Sequence, residues 1–121
     1  MTEKASTGHL GESIAVQYLK DKGFEIIQKN WHSVYGEIDI IAQKNNKIHF
    51  VEVKTRKSLA FGTPVESYHY FKQGKIIKTA FLYMNQLNTG QSFQFDFIGI
   101  ILNADNTAKE IEMIENAINE S

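Results

Sequence analysis

The stretch Gly36-Glu37-Ile38-Asp39-Ile40-Ile41-Ala42-Gln43-Lys44-Asn45-Asn46-Lys47-Ile48-His49-Phe50-Val51-Glu52-Val53-Lys54-Thr55-Arg56 decides the fold. It holds two runs rich in Ile, Val and Phe, Gly36 to Gln43 and Lys47 to Thr55, which read as β-strands. Asparagine tolerates positive φ, so Asn45-Asn46 between them predicts a two-residue hairpin turn. With Lys44 opposite Lys47, the register sets Asp39 opposite Glu52 and Glu37 opposite Lys54. Directly opposed residues share a sheet face with Cβ atoms roughly 4.5–5.5 Å apart.

Two carboxylates that close repel unless a cation sits between them, and a divalent metal with oxygen ligands such as Mg²⁺ resolves the repulsion. Strand alternation places Lys54 on the face of Glu52. One face would then present two metal-binding carboxylates and an ammonium group, a set suited to phosphodiester hydrolysis: the metal offsets phosphate charge and activates water, and the lysine orients that water or stabilises developing charge. The plainer alternative is a solvent-facing strand with cross-strand ion pairs. Against it, Asp is a poor strand former, and this one is bracketed by Ile38, Ile40 and Ile41.

Working outward, Thr7 to Lys22 reads as a helix, with Leu10, Ile14, Tyr18 and Leu19 at helical spacing, Ser6 or Thr7 as cap and Gly23 as its end. Glu12 lies beside Leu19 at the border of that apolar stripe. It either reaches the strand carboxylates or is an exposed helix glutamate; Gly8 and Gly11 would let the helix approach the sheet. Phe24 to Trp31 is a further strand. Leu59 to Val65 holds Gly62 and the sole proline, Pro64, and reads as a loop. A second helix falls within Tyr68 to Leu87, with Ile76, Ile77, Ala80, Phe81 and Met84 inward, and Phe93 to Leu102 is another strand. Between Lys109 and Ala117 the alternation Glu110-Ile111-Glu112-Met113 suits a strand, whereas Ile111, Ile114 and Ile118 also suit a helix. The order α-β-β-β-α-β predicts a single α/β domain over residues 1–121, with a mixed central sheet flanked by helices.

Composition agrees with a globular protein: 42% hydrophobic and 22% charged residues. No cysteine is present, which excludes disulfides and thiolate chemistry, and the four histidines show no ligand spacing. No apolar run approaches a membrane span and the first residues lack a signal-peptide pattern, so a cytoplasmic protein without a membrane partner is expected. The net charge of −1 conceals an asymmetry. Residues 44–78 hold eight basic side chains against Glu52 and Glu66, whereas residues 96–121 hold six acids and only Lys109. A local cationic cluster suits an anionic partner, although a solvated lysine surface gives the same count. Arg56, the chain's one arginine, could hold a phosphate bidentately or form a surface ion pair. Trp31 reads as core rather than as a base-stacking residue, and Asp96 as a buried hydrogen-bonding acid.

Gly11-Glu12-x-x-Ala15-x-x-Tyr18-Leu19, Asn30-Trp31, Gly36-Glu37-Ile38-Asp39-Ile40-Ile41, Phe50-Val51-Glu52-Val53-Lys54-Thr55-Arg56 and Phe61-Gly62-x-Pro64 resemble the YraN family of small bacterial proteins. That pattern is similar to the PD-(D/E)XK, or restriction-endonuclease-like, superfamily and especially its Holliday junction resolvases. The resemblance implies that fold and a metal-dependent DNA endonuclease, acting on branched or junction DNA in repair or recombination. It implies a catalytic set of Glu12, Asp39, Glu52 and Lys54, with Asp39, Glu52 and Glu12 holding Mg²⁺ or Mn²⁺. It further implies a substrate-facing base at Lys72. Arg56, Lys57 and Lys75 complete the expected nucleic-acid contacts. Ile38 stands where the superfamily signature has proline, and Gln94 where an arginine is expected. Double-stranded or branched DNA is the expected partner, and a homodimer is compatible with the chain. Two rivals remain: a non-catalytic nucleic-acid-binding or complex-forming module that keeps the fold, and a protein-interaction domain using the acidic C-terminal segment. The intact acid–acid–lysine set speaks against the first and the basic segment against the second.

Overall fold

The computed structural model describes residues 3–57, 63–64 and 73–118, with side chains for those from 7 onward except 73. Its elements are α1 (Glu3–Asp21), β1 (Glu25–Ser33), β2 (Gly36–Lys44), β3 (Lys47–Arg56), α2 (Gln73–Leu87), β4 (Ser92–Leu102) and β5 (Ala108–Ile114). The strands form one five-stranded sheet in the order β1-β2-β3-β4-β5. Neighbours run antiparallel except β3 and β4, which are parallel. This is the mixed α/β architecture expected of a restriction-endonuclease-like core. No helix among the described residues is long and apolar enough to cross a membrane.

The helices cover opposite faces of the sheet. Ala15 and Leu19 of α1 pack with Phe24, Ile40, Ala42, Val51, Ile98 and Ile100. Ile76, Ala80 and Tyr83 of α2 pack with Ile38, Ile41, Ile48, Phe50 and Phe95. Helix α1 ends where Gly23 takes φ +91°: Phe24 N–H donates to Leu19 O and Gly23 N–H to Lys20 O, each at 3.0 Å. That paired arrangement satisfies the last carbonyls and needs a residue without a Cβ. The approach of α1 to β3 depends on Gly11, because a Cβ there would lie 1.7 Å from Thr55 Oγ1. Gly8 has open space around it and contributes nothing to that approach.

Asn45 and Asn46 take φ of +52° and +63°, and Lys44 pairs with Lys47 as the turn chemistry predicts. The same turn divides the basic segment. Lys44 donates to Lys22 O at 2.7 Å and lies over Phe24. Seven residues of strand, roughly 23 Å, separate Lys47 from Lys54. The 44–78 cluster is therefore not one surface: Lys44 and Lys47 belong to the end of the sheet remote from Glu52.

Two further expectations change. Phe81 is 52% exposed, and Tyr83 occupies the core in its place. At 3.6 residues per turn, Phe81 sits roughly 100° round the helix from the Ala80–Leu87 line. The C-terminal ambiguity resolves as strand β5, because the edge of β4 supplies a partner for Ile111 and Met113. Most of the expected loop 59–65, together with Lys72, Tyr68 and Tyr70, lies outside the described residues. Trp31 meets Tyr83 edge-to-face at 5.3 Å, as a packing residue.

Candidate active site

Strand β2 changes face at Asp39. Ile38 and Ile41 both join the α2-side core, whereas Ile40 and Ala42 join the α1-side core. Strict alternation would put Ile38 with Ile40. Across on β1, Asn30 takes φ +53° between Lys29 and Trp31, the partners of Ile40 and Ile38. The β2–β3 ladder runs from Lys44↔Lys47 to Ile40↔Val51. Beyond it Asp39 Oδ2 accepts the Val53 N–H at 2.9 Å, so a side chain replaces a backbone carbonyl and the strands part. The resulting cleft of about 200 Å³ is lined by Tyr35, Gly36, Glu37, Glu52, Lys75, Ile76 and Thr79.

The expected register holds from Lys44↔Lys47 to Ile40↔Val51 and stops short of the expected Asp39–Glu52 and Glu37–Lys54 pairs, because the strand changes face at Asp39. The Asp39 and Glu52 side chains nonetheless lie within hydrogen-bonding reach of one another. Burial above all, then the charges of Glu12 and Glu37, push the Asp39 carboxyl up to about 6. Burial and the charge of Asp39 push Glu52 up to about 9. The Val53 N–H opposes the shift at Asp39 without cancelling it. Glu52 Oε1 is buried and has no hydrogen-bond partner. No ion pair to Asp39, Glu52 or Glu12 occurs among the described residues; the two pairs present are His32–Glu37 at 3.7 Å and His49–Asp96. An unpartnered buried carboxylate oxygen among crowded acids suits a hard divalent cation with all-oxygen ligands. Asp39 and Glu52 could hold such a cation, with Glu12 near enough for its charge to act on Asp39.

Glu12 follows Gly11 on α1 and is half-buried. Lys54 lies two residues beyond Glu52 on the same strand face and is exposed. Arg56 is half-buried at the end of β3, its Nη1 donating to Thr55 O at 3.3 Å. Lys57 is exposed at the end of β3, and Lys75 is exposed on the first turn of α2 at the lip of the cleft. Glu37 was not singled out by sequence, yet it acts electrostatically on both central carboxylates. Its alternation with Asp39 would be the signal, had β2 been regular.

A second constellation joins residues far apart in sequence. His49, Asp96 and Glu115 each bring one potential ligand atom within 4.8 Å of the others. Asp96 is 1% exposed and meets His49 Nδ1 at 2.6 Å, while Gln94 Nε2 and Asn116 N–H donate to its Oδ1 at 2.7 and 3.0 Å. An acid with three donors is a satisfied buried group. It fastens Asn116 to β4, next to the Ala117 N–H bond to Phe95 O at 2.7 Å. Gln94, at the position where an arginine was expected, thus serves Asp96 rather than a substrate.

Relatives match nearly the whole chain. A protein of Clostridium botulinum (strain Kyoto / Type A2), named UPF0102 protein, is 46% identical over 112 residues, covering 91% of each chain. The UPF0102 protein TTE1452 of Caldanaerobacter subterraneus subsp. tengcongensis is 45% identical over 116 residues, covering 94% of this chain and 95% of its own. The profile described as "Uncharacterised protein family UPF0102" matches residues 11–100, a span that takes in Glu12, Asp39, Glu52 and Lys54. The chain belongs to the UPF0102 family.

Proposed function

We propose that this protein is a Mg²⁺- or Mn²⁺-dependent DNA endonuclease of the PD-(D/E)XK type, acting on branched or junction DNA in repair or recombination. The observation that carries the reading is the half-buried Asp39–Glu52 pair, flanked by Glu12 and Glu37, with Glu52 Oε1 buried and lacking any partner. Folding such a pair costs stability, and a bound cation is what makes the arrangement useful.

Asp39 and Glu52 hold the metal, Glu12 completing the set. The cation, when bound, supplies Lewis-acid polarisation of the phosphate and lowers the pKa of water. The chain's own groups do the rest. Asp39 is kept in place by the Val53 N–H, which occupies Oδ2 and leaves Oδ1 for the cation. The Lys54 ammonium orients the attacking water and stabilises charge developing on the phosphate. Lys75, at the lip, draws the DNA backbone over the carboxylates.

The test is cleavage by purified protein of duplex, single-stranded, flap and four-way DNA with and without Mn²⁺, with calorimetry for the metal. Metal uptake and metal-dependent cuts, both lost in Asp39→Asn, support the reading. Binding of DNA without metal uptake or cleavage leaves the non-catalytic module standing instead.

A further inference from the structure

The tip of the β1–β2 hairpin is made of residues that turn chemistry does not ask for. Ser33 pairs with Gly36, leaving Val34 and Tyr35 as the two-residue turn. Asn, Asp and Gly are the usual occupants of such turns. Here the backbone demand falls on Gly36, at φ +149°, and the tip is free to carry side chains for another purpose. Val34 is 91% exposed and Tyr35 45% exposed, two adjacent apolar surfaces in water.

The tip is also held firmly. Ser33 Oγ accepts the Tyr35 N–H at 3.0 Å and lies 3.3 Å from Thr79 Oγ1, which itself donates to Lys75 O at 2.8 Å. The hairpin is thereby fastened to α2. Tyr35 lines the same cleft as Glu37 and Glu52, and Lys78 Nζ stands 5.7 Å from its ring centre. Lys75 and Lys78, three residues apart, project from one side of the helix and are both exposed. The cleft that Glu37 and Glu52 line is therefore also lined by an aromatic ring and the Lys75 side chain, with the Lys78 ammonium beside that ring.

We propose that Val34 and Tyr35 form a stacking platform for an unpaired nucleobase of DNA, with Lys75 and Lys78 holding the phosphates beside it. This rests on the nuclease reading of the carboxylate centre and specifies its substrate: a phosphodiester next to an unstacked nucleotide. A flat aromatic with adjoining cations is the recurring means of gripping single-stranded nucleic acid. A base inside a continuous duplex presents no face to Tyr35. The platform therefore selects for gaps, flaps and branch points without reading sequence.

The experiment titrates wild type, Tyr35→Ala and Tyr35→Phe against a duplex and against the same duplex carrying a short single-stranded gap. 2-Aminopurine in the gap reports stacking by its fluorescence, and Mn²⁺ calorimetry on each protein reports the state of the centre. Wild type is expected to prefer gapped DNA and quench the probe. Tyr35→Ala should lose that preference by roughly 5- to 100-fold, the range that base–aromatic stacking supplies, together with the quenching. Tyr35→Phe, which keeps the ring, should retain both. Equal preference and quenching in wild type and Tyr35→Ala, with metal binding intact, overturns the platform and leaves the nuclease reading in place. Wild type that neither takes up Mn²⁺ nor cuts overturns the nuclease reading, and the platform with it.

Discussion

Asp39→Asn should make the metal-free protein more stable, although it destroys the proposed centre. Asp39 titrates at 3.8 in an unfolded chain and is pushed up to about 6 by burial and by neighbouring acids. A carboxyl whose folded pKa is raised gives stability that is whole below the unfolded pKa and is lost as pH rises through the folded one. The window for Asp39 runs from about pH 4 to pH 7. A shift of about two units is worth roughly 3 kcal/mol. Glu52, raised from 4.5 to about 9, extends the loss to higher pH. The two shifts share one mutual repulsion, so they are not additive. An asparagine keeps an oxygen for the Val53 N–H and carries no charge. At pH 8 with chelator, urea melts should show the variant more stable by about 2–3 kcal/mol, or roughly 10 °C in Tm for a chain of this size. At pH 4 the difference should fall to a few tenths. Excess Mn²⁺ should then raise wild type alone, by about 2.7 kcal/mol at a hundredfold over Kd. A variant equally destabilised at pH 4 and pH 8 refutes the claim that repulsion and desolvation dominate at this site.

Lys54→Ala should take up Mn²⁺ with wild-type affinity yet lose roughly 100-fold or more in single-turnover cleavage, since it removes a donor and no ligand; a matching fall in metal affinity would place Lys54 in the coordination set instead. Gly11→Ala puts a Cβ 1.7 Å from Thr55 Oγ1, so α1 must shift or strain. A loss of about 1–3 kcal/mol in a chemical melt is expected, together with weakened activity through Glu12, whereas Gly8→Ala should be neutral or stabilising. Asp96→Ala strands His49, Gln94 and the Asn116 N–H, and should cost about 3–5 kcal/mol. Hydrogen exchange should show residues 115–118 opening first, and uniform protection there would contradict the anchoring role.

Much of this architecture is written in local chemistry. Asn45-Asn46 fixes the β2–β3 register as far as Ile40↔Val51, which brings the chain to the neighbourhood of Asp39 and Glu52. What escaped the sequence depends on contacts between distant segments. Glu110 to Met113 alternates well enough for a strand and is spaced well enough for a helix; only the free edge of β4 decides. His49, Asp96 and Glu115 meet because β3 and β4 are adjacent, which no spacing announces. Glu37 was paired with Lys54 by strict alternation, so its charge read as an ion-pair partner rather than as a further acid acting on Asp39 and Glu52. The basic segment misled for a related reason. Sequence proximity along a strand is distance in space, so a count over residues 44–78 merged two ends of the sheet.

The parallel β3–β4 pair has a bearing on how long the protein survives when the proposed cation is absent. Helix α1 and the β1–β2–β3 meander bring Glu12, Asp39 and Glu52 together by short antiparallel connections, all before residue 57. Their burial comes later, when the chain has returned through α2, whose Ile76 and Thr79 line the cleft, and Phe97 of β4 has paired beside Glu52. Contacts across so long a crossover are slow to form, and on that ground the burial of these carboxylates is expected late in folding. Carboxylate repulsion that sets in after the barrier leaves the refolding rate alone and shortens the lifetime of the folded state. Alkaline pH should therefore steepen unfolding of the metal-free chain without slowing its refolding, so that loss of the cation registers as faster turnover by proteases rather than as a failure to fold.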